Sequence, residues 1–100
     1  MATAYVSLTE VRLDLRHARN LKEKRQVVNS LKTQIRQRFV AAVAEVGDHD
    51  DRRSADLLVA LVGGAEVRAR AAELERFIEA RCPDACAFER DLLSLADVRD

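Results

Sequence analysis

Apolar and polar residues alternate over residues 5–15, which predicts a first β-strand. Its odd-numbered positions form one face: Tyr5, Ser7, Thr9, Val11, Leu13 and Leu15. Val6 and Leu8 then lie on the opposite face. Because both faces carry apolar side chains, we expect the strand either to be covered on both sides or to expose an apolar patch.

A helical period replaces the alternation over residues 21–38. Asn20, with Glu23 three residues later, predicts the N-terminal cap of this helix. Lys24 lies near the middle of the apolar stripe, so we expect its ammonium to extend past the end of the sheet or to pair with a carboxylate. The stripe predicted to be buried is Leu21, Val27, Val28, Leu31 and Ile35.

The rest of the pattern predicts three more strands and a second helix. In chain order, the strands are expected at residues 39–46, 55–62 and 85–93. A polar turn at residues 47–54 separates the first two, and Pro83 is expected to end the second helix. That helix follows Gly63-Gly64 and has apolar residues at helical spacing: Val67, Ala71, Leu74 and Ile78.

The order β-α-β-β-α-β predicts an α+β fold, a ferredoxin-like sandwich in which two helices cover one face of a four-stranded antiparallel sheet. With 100 residues, 48% of them hydrophobic, we expect one domain over residues 1–100. The face away from the helices is a candidate protein interface, made of Val6, Leu8, Leu58 and Val62 with Ala42, Ala44 and Ala60 between them. A homodimer through this face, and partial cover by the polar turn or the C-terminal tail, are both open interpretations.

Positive charge is concentrated in one segment, although lysine and arginine together number 17 and so do aspartate and glutamate. Residues 16–38 hold eight cations against one carboxylate, Glu23. Such a row favours a polyanion through counterion release, whereas the alternating signs of the second helix are typical of a solubilising face. A solvated helix face is the alternative. The candidate nucleic-acid-binding residues are Arg16, Arg19, Lys22, Lys24, Arg25, Lys32 and Arg36.

Candidate catalytic groups are few. His49 lies between aspartates in the polar turn, but a hairpin loop has the same composition. Cys82 and Cys86 form a CxxxC pair without further ligands nearby, which favours free thiols over a metal or redox site. We therefore expect no enzyme activity, no cofactor, no metal and no small-molecule ligand. Without a signal peptide or a membrane-spanning stretch, we also expect a cytoplasmic protein without membrane contact.

Several motifs resemble one family of small bacterial proteins. Asn20-Leu-Lys-Glu-Lys-Arg25 resembles the Ser-Leu-Lys-Glu-Lys-Arg signature of the YlxP-like family, and shorter matches occur in residues 43–46, 55–60, 76–79 and 89–92. The resemblance implies a ferredoxin-like fold, a cytosolic protein without an established activity, and genes near those of translation initiation factor 2 and ribosome-binding factor A. The 47–54 turn departs from the family pattern because it lacks the aromatic residue.

Together these observations predict a non-catalytic binding domain that docks on structured RNA or ribosomal precursors through the basic loop and first helix. Phosphates and shape would be recognised rather than bases, because the few aromatic residues are dispersed. The alternative is a protein-interaction or homodimerisation module that uses the open sheet face.

Overall fold

The computed structural model describes residues 3–47, 51–82 and 84–100. The four strands form one antiparallel sheet in the order β2-β3-β1-β4. The predicted α+β architecture, consistent with a ferredoxin-like arrangement, is confirmed. The elements in chain order are β1 (Tyr5–Asp14), α1 (Leu21–Phe39), β2 (Ala42–Val46), β3 (Ser54–Gly63), α2 (Val67–Glu79), β4 (Cys86–Ser94) and α3 (Leu95–Arg99).

The alternation in β1 and β3 determines which face of the sheet is covered. The odd-numbered residues of both strands, apart from the half-buried Tyr5 and Gly63 at their ends, are buried against α1 and α2, as the pattern predicts. The apolar stripe of α2 is also confirmed, since Val67, Ala71, Leu74 and Ile78 are all buried. Among the buried residues, the hydroxyl groups of Ser7 and Thr9 make no hydrogen bond with the rest of the described chain.

The stripe of α1 differs from the prediction at both ends. Leu21 is 43% exposed, whereas Phe39, which the pattern placed in a strand, is the last buried residue of the helix. A full helical repeat starting at Lys24 accounts for this shift, because it runs through Lys24, Val28, Leu31, Ile35 and Phe39.

The helix begins and ends with different kinds of cap. Asn20 caps the start as predicted, since its Oδ1 accepts the Glu23 backbone N–H at 2.9 Å. The Glu23 carboxylate accepts from the backbone N–H of Arg19, not from that of Asn20, at 2.7 Å. At the other end Val40 has left-handed backbone angles, φ 51° and ψ 48°, which are strained for a β-branched residue. The chain thereby reverses into β2.

The C-terminal tail, for which the sequence pattern predicted no element, contains a short helix, α3. Ser94 and Asp97 form a reciprocal capping box at its start, with bonds of 2.9 and 3.1 Å. Pro83, expected to stop the second helix, lies outside the described residues, and α2 ends at Glu79. None of the described helices has the length and apolarity needed to cross a bilayer.

Candidate nucleic-acid interface

The two loop cations of the predicted surface are exposed, but each has a carboxylate partner. Arg16 Nε donates to Asp14 Oδ2 at 2.8 Å, and this bond lowers the pKa of Asp14 and raises that of Arg16. Arg19 Nε lies 3.3 Å from Glu23 Oε1. The loop therefore adds less net positive charge to the surface than its sequence suggests.

Lys24 is fully buried, at 0% exposure. Its Nζ lies 3.8 Å from Glu45 Oε2 and donates a hydrogen bond to the backbone carbonyl of Asp51. The predicted carboxylate pairing is confirmed. The assignment of Lys24 to the RNA-binding surface is wrong, because a buried ammonium cannot meet a phosphate backbone without local unfolding.

Arg25 belongs to the same network. Its two terminal nitrogens each donate to one oxygen of Glu45, both at 2.7 Å, and the Glu45 side chain is only 5% exposed. Such a bidentate pair fixes the guanidinium against β2 and offsets its charge. This is a correction to the sequence interpretation of Arg25 as a surface cation free to bind phosphate. Within the Leu-Lys-Glu-Lys-Arg motif, Glu23, Lys24 and Arg25 thus hold the start of α1 in place.

Three of the predicted cations remain without a described carboxylate partner, and we call them the cationic ridge: Lys22, Lys32 and Arg36. With Arg25 they follow one helical row, at successive spacings of three, seven and four residues. Arg36 Nη2 donates to the Val43 carbonyl at 3.0 Å, and Arg25 contacts Glu45 of the same strand. The ridge therefore runs along β2, an edge strand of the sheet.

Sequence reasoning missed a second cationic group at the junction of α1 and α2. Arg38, Arg76 and Arg81, which we call the arginine cluster, line a shallow cleft of about 360 Å³ with Phe77 and Glu73. The three guanidinium groups form no ion pair with a carboxylate in the part of the chain that the structure describes. The alternating charges of α2 gave no signal of this cluster, because Arg38 comes from the other helix.

The open face of the sheet is the one that the alternation of strand residues predicted. Val6, Leu8, Leu58 and Val62 all lie on it, and Val62 is 68% exposed. The register places Val6 between Val62 and Leu93, so apolar side chains continue across three strands. Their role as a protein interface remains a prediction.

The β1 and β4 half of this open face is acidic. Glu10 lies directly opposite Glu89, and Asp91 follows two residues further along β4. Arg12 is offset by Asp56, with two bonds of 2.9 Å. The open face therefore carries net negative charge, opposite in sign to the ridge and the arginine cluster.

The thiols resemble packed core groups more than reactive ones. Cys82 and Cys86 are free and lie against the core. Burial and the hydrogen bond with Cys86 raise the pKa of Cys82 to about 12, which disfavours the nucleophilic thiolate. Across residues 3–47, 51–82 and 84–100, no three His, Cys, Asp or Glu side chains gather as metal ligands. The predicted turn histidine, His49, lies outside these ranges.

Comparison with protein families gives one relationship. A model described as "Protein of unknown function (DUF503)" matches residues 6–89. The comparison with curated proteins gives no match. The matched segment contains both long helices and both cationic groups, from within β1 to within β4. Because it spans most of the sequence, this chain belongs to the DUF503 family of proteins of unknown function.

Proposed function

We propose that this protein is a non-catalytic domain that binds structured RNA, free or in a ribosomal precursor, through its helical layer. The observation that carries the proposal is the separation of charge between two faces. The helical face bears the cationic ridge and the arginine cluster without described carboxylate partners, while the open face gathers Glu10, Glu89 and Asp91.

This separation favours one docking orientation for a polyanion. Phosphates are attracted to the helical layer and repelled by the acidic half of the sheet, and the attraction weakens as salt increases. Moreover, the open face presents no aromatic ring in its described strands, so stacking of bases on the sheet is not supported. Recognition of phosphates and shape, without base reading, is the mode that fits.

The resemblance to YlxP-like proteins supports the same setting. Genes of that family lie near those of translation initiation factor 2 and ribosome-binding factor A, which is consistent with a cytoplasmic role in ribosome maturation or translation. In this chain, however, the signature at Asn20 to Arg25 caps and anchors α1. We therefore assign the RNA contacts to side chains outside that motif, except for Lys22.

A charge-matched pair of variants tests the proposal. Lys22→Gln, Lys32→Gln and Arg36→Gln together remove three positive charges from the ridge. Ala85→Glu, Ala87→Glu and Ala96→Glu together change the net charge equally but at exposed sites away from the ridge. Binding to a labelled RNA hairpin is measured as a function of salt, and association with ribosomal particles is followed in low-salt and high-salt gradients.

For the ridge variant, the slope of log K against log salt is expected to be shallower by about 2.7, at roughly 0.9 per cation removed. The variant should also no longer sediment with the ribosomal particles. The alanine-to-glutamate control should keep nearly the whole slope. If the two variants behave alike, net charge alone governs binding and the ridge is not the interface. A wild-type chain that binds neither RNA nor particles would overturn the proposal.

A second candidate function rests on the open face. Its apolar side chains cross three strands, as in sheets that pair with a second copy or another protein. Sedimentation equilibrium of the wild type beside Leu8→Asp and Leu58→Asp tests this, since a dimer of this kind should become monomeric in both variants. A wild-type protein that is monomeric at every concentration measured would rule out the homodimer.

A further inference from the structure

We infer that Arg38, Arg76 and Arg81 form a binding site for a single phosphate group at the junction of α1 and α2. This deepens the proposed function, and it rests on that function for RNA as the carrier of the phosphate. The chemistry of the site is equally suited to the phosphate monoester of a free nucleotide, so the test below separates the two sources.

Arg81 is held in place by neutral partners. Its Cζ lies 3.5 Å from the centroid of the Phe77 ring, its Nε donates to Gln34 Oε1 at 2.9 Å, and its Nη1 donates to the Phe77 carbonyl at 3.2 Å. A guanidinium fixed in this way loses little further freedom when it binds an anion. Its Nη2 has no partner within the described chain and remains available as a donor.

Arg38 approaches the same ring from the other helix. Its Cζ lies 5.4 Å from the Phe77 centroid and 5.8 Å from that of Phe39, and the two rings meet edge to face at 5.4 Å. The aromatic pair thus holds two guanidinium groups near one another by cation–π attraction. Arg76 lines the same cleft, one residue before Phe77.

The charge of the cleft is not balanced. Three guanidinium groups line it against one carboxylate, that of Glu73, and Glu73 forms no ion pair with any of them. Like charges gathered in this way repel one another, and a bound anion would relieve the repulsion. The arginine fork matches the oxygens of phosphate through paired N–H donors, which is why we assign phosphate as the ligand.

The test follows the ¹⁵Nε signals of the arginine side chains during titration with inorganic phosphate, adenosine monophosphate and a labelled RNA hairpin. Arg76→Ala is the main variant, because the Arg76 side chain makes no hydrogen bond in the described structure and its loss should leave the fold intact. Arg68→Ala is the matched control, an exposed arginine of the same helix outside the cluster. Glu73→Gln removes the negative charge that lines the cleft and is expected to have the opposite effect on phosphate binding.

Inorganic phosphate is expected to shift the Arg38 and Arg81 signals, and Arg76→Ala should weaken binding about tenfold, as the loss of a charged hydrogen bond would. Glu73→Gln should tighten it, and Arg68→Ala should leave it unchanged. Phosphate that shifts no cluster signal, or that shifts Arg68 and the cluster alike, would overturn the site.

The two proposals fail separately. If RNA binds the wild type and Arg76→Ala equally while phosphate leaves the cluster signals unmoved, the phosphate site is wrong and the ridge proposal stands. If phosphate and adenosine monophosphate bind the cluster but the RNA hairpin does not bind the protein, the site is supported with a free phosphate monoester as its ligand, and the RNA proposal fails.

Discussion

The two ends of α1 contain similar numbers of cations in the sequence but use them differently in the structure. At the start of the helix and in the preceding loop, four of the five cations lie beside a carboxylate, and only Lys22 has no described carboxylate partner. The four are Arg16, Arg19, Lys24 and Arg25. Toward its end three have no described carboxylate partner: Lys32, Arg36 and Arg38. A row of basic residues therefore predicts a charged surface only when no acidic residue from another element reaches it.

The carboxylates that neutralise the start of α1 come from several places. Glu23 is part of the helix itself, whereas Asp14 ends β1 and Glu45 belongs to β2. Glu45 is 20 residues from Arg25 in sequence, so nothing local signals their contact. Apart from Lys22, the cations at the start of α1 and in the preceding loop are therefore paired with carboxylates, whereas those at its end are available to a ligand.

The largest effect that this comparison predicts is on stability. Glu45→Ala removes the carboxylate beside the buried Lys24 ammonium and the partner of Arg25, and we expect a loss of about 3–5 kcal/mol in the free energy of unfolding. Urea denaturation measures it. Arg38→Ala, at the other end of the helix, is the matched control and should change stability by less than about 1 kcal/mol. Equal losses of stability for the two variants would contradict the different roles assigned to the two ends of α1.

A smaller gain in stability is expected at the end of α1. Val40→Gly relieves a left-handed backbone conformation that is unfavourable by roughly 1–2 kcal/mol for an L-residue with a side chain. The greater freedom of glycine in the unfolded chain offsets part of this, which leaves a net gain of about 0.5–1 kcal/mol. Thermal and urea unfolding check the gain. Because no charge changes, RNA affinity should stay constant, and a concurrent loss of binding would show that the end of α1 is not merely a charged surface.

The smallest predicted effect concerns stability at acid pH, and it arises from the Asp14–Arg16 pair before α1. The hydrogen bond from Arg16 lowers the pKa of Asp14 below its ordinary value of 3.8. A depressed pKa stabilises the folded state at pH above the unfolded pKa, and this contribution is lost as the pH falls through the folded value. Relative to Asp14→Asn, the wild type should therefore lose stability below about pH 4. The urea midpoints of both proteins are measured as the pH is lowered through this range. If the two midpoints change in parallel with pH, the pair makes no such contribution.

Much of the fold could be predicted because it depends on periodicity. The alternation in β1 and the stripe of α2 identified the buried faces without any knowledge of contacts, and Asn20 was recognisable as a cap from its spacing to Glu23. The helix α3 was missed, although Ser94 and Asp97 have the spacing of a capping box.

Less of the candidate site could be predicted because it depends on pairing between elements. The extension of α1 to Phe39 is decided by packing, since its ring meets Phe77 of α2 edge to face. The same contact brings Arg38 toward Arg81 and creates the arginine cluster. The sequence of either helix alone does not reveal this contact. Counting charges along α1 therefore overestimated the free positive charge at its start and missed the arginine cluster at its junction with α2.

The most direct test compares two matched double variants, Arg16→Gln with Arg19→Gln and Lys32→Gln with Arg36→Gln. Both lower the net charge by the same amount, and binding to a labelled RNA hairpin is measured across a series of salt concentrations. We expect the Lys32 and Arg36 variant to lose about 1.8 from the slope of log K against log salt, at roughly 0.9 per cation, and the loop variant to lose much less. Equal losses, or a larger loss for the loop variant, would contradict the claim that pairing with carboxylates decides which cations bind RNA.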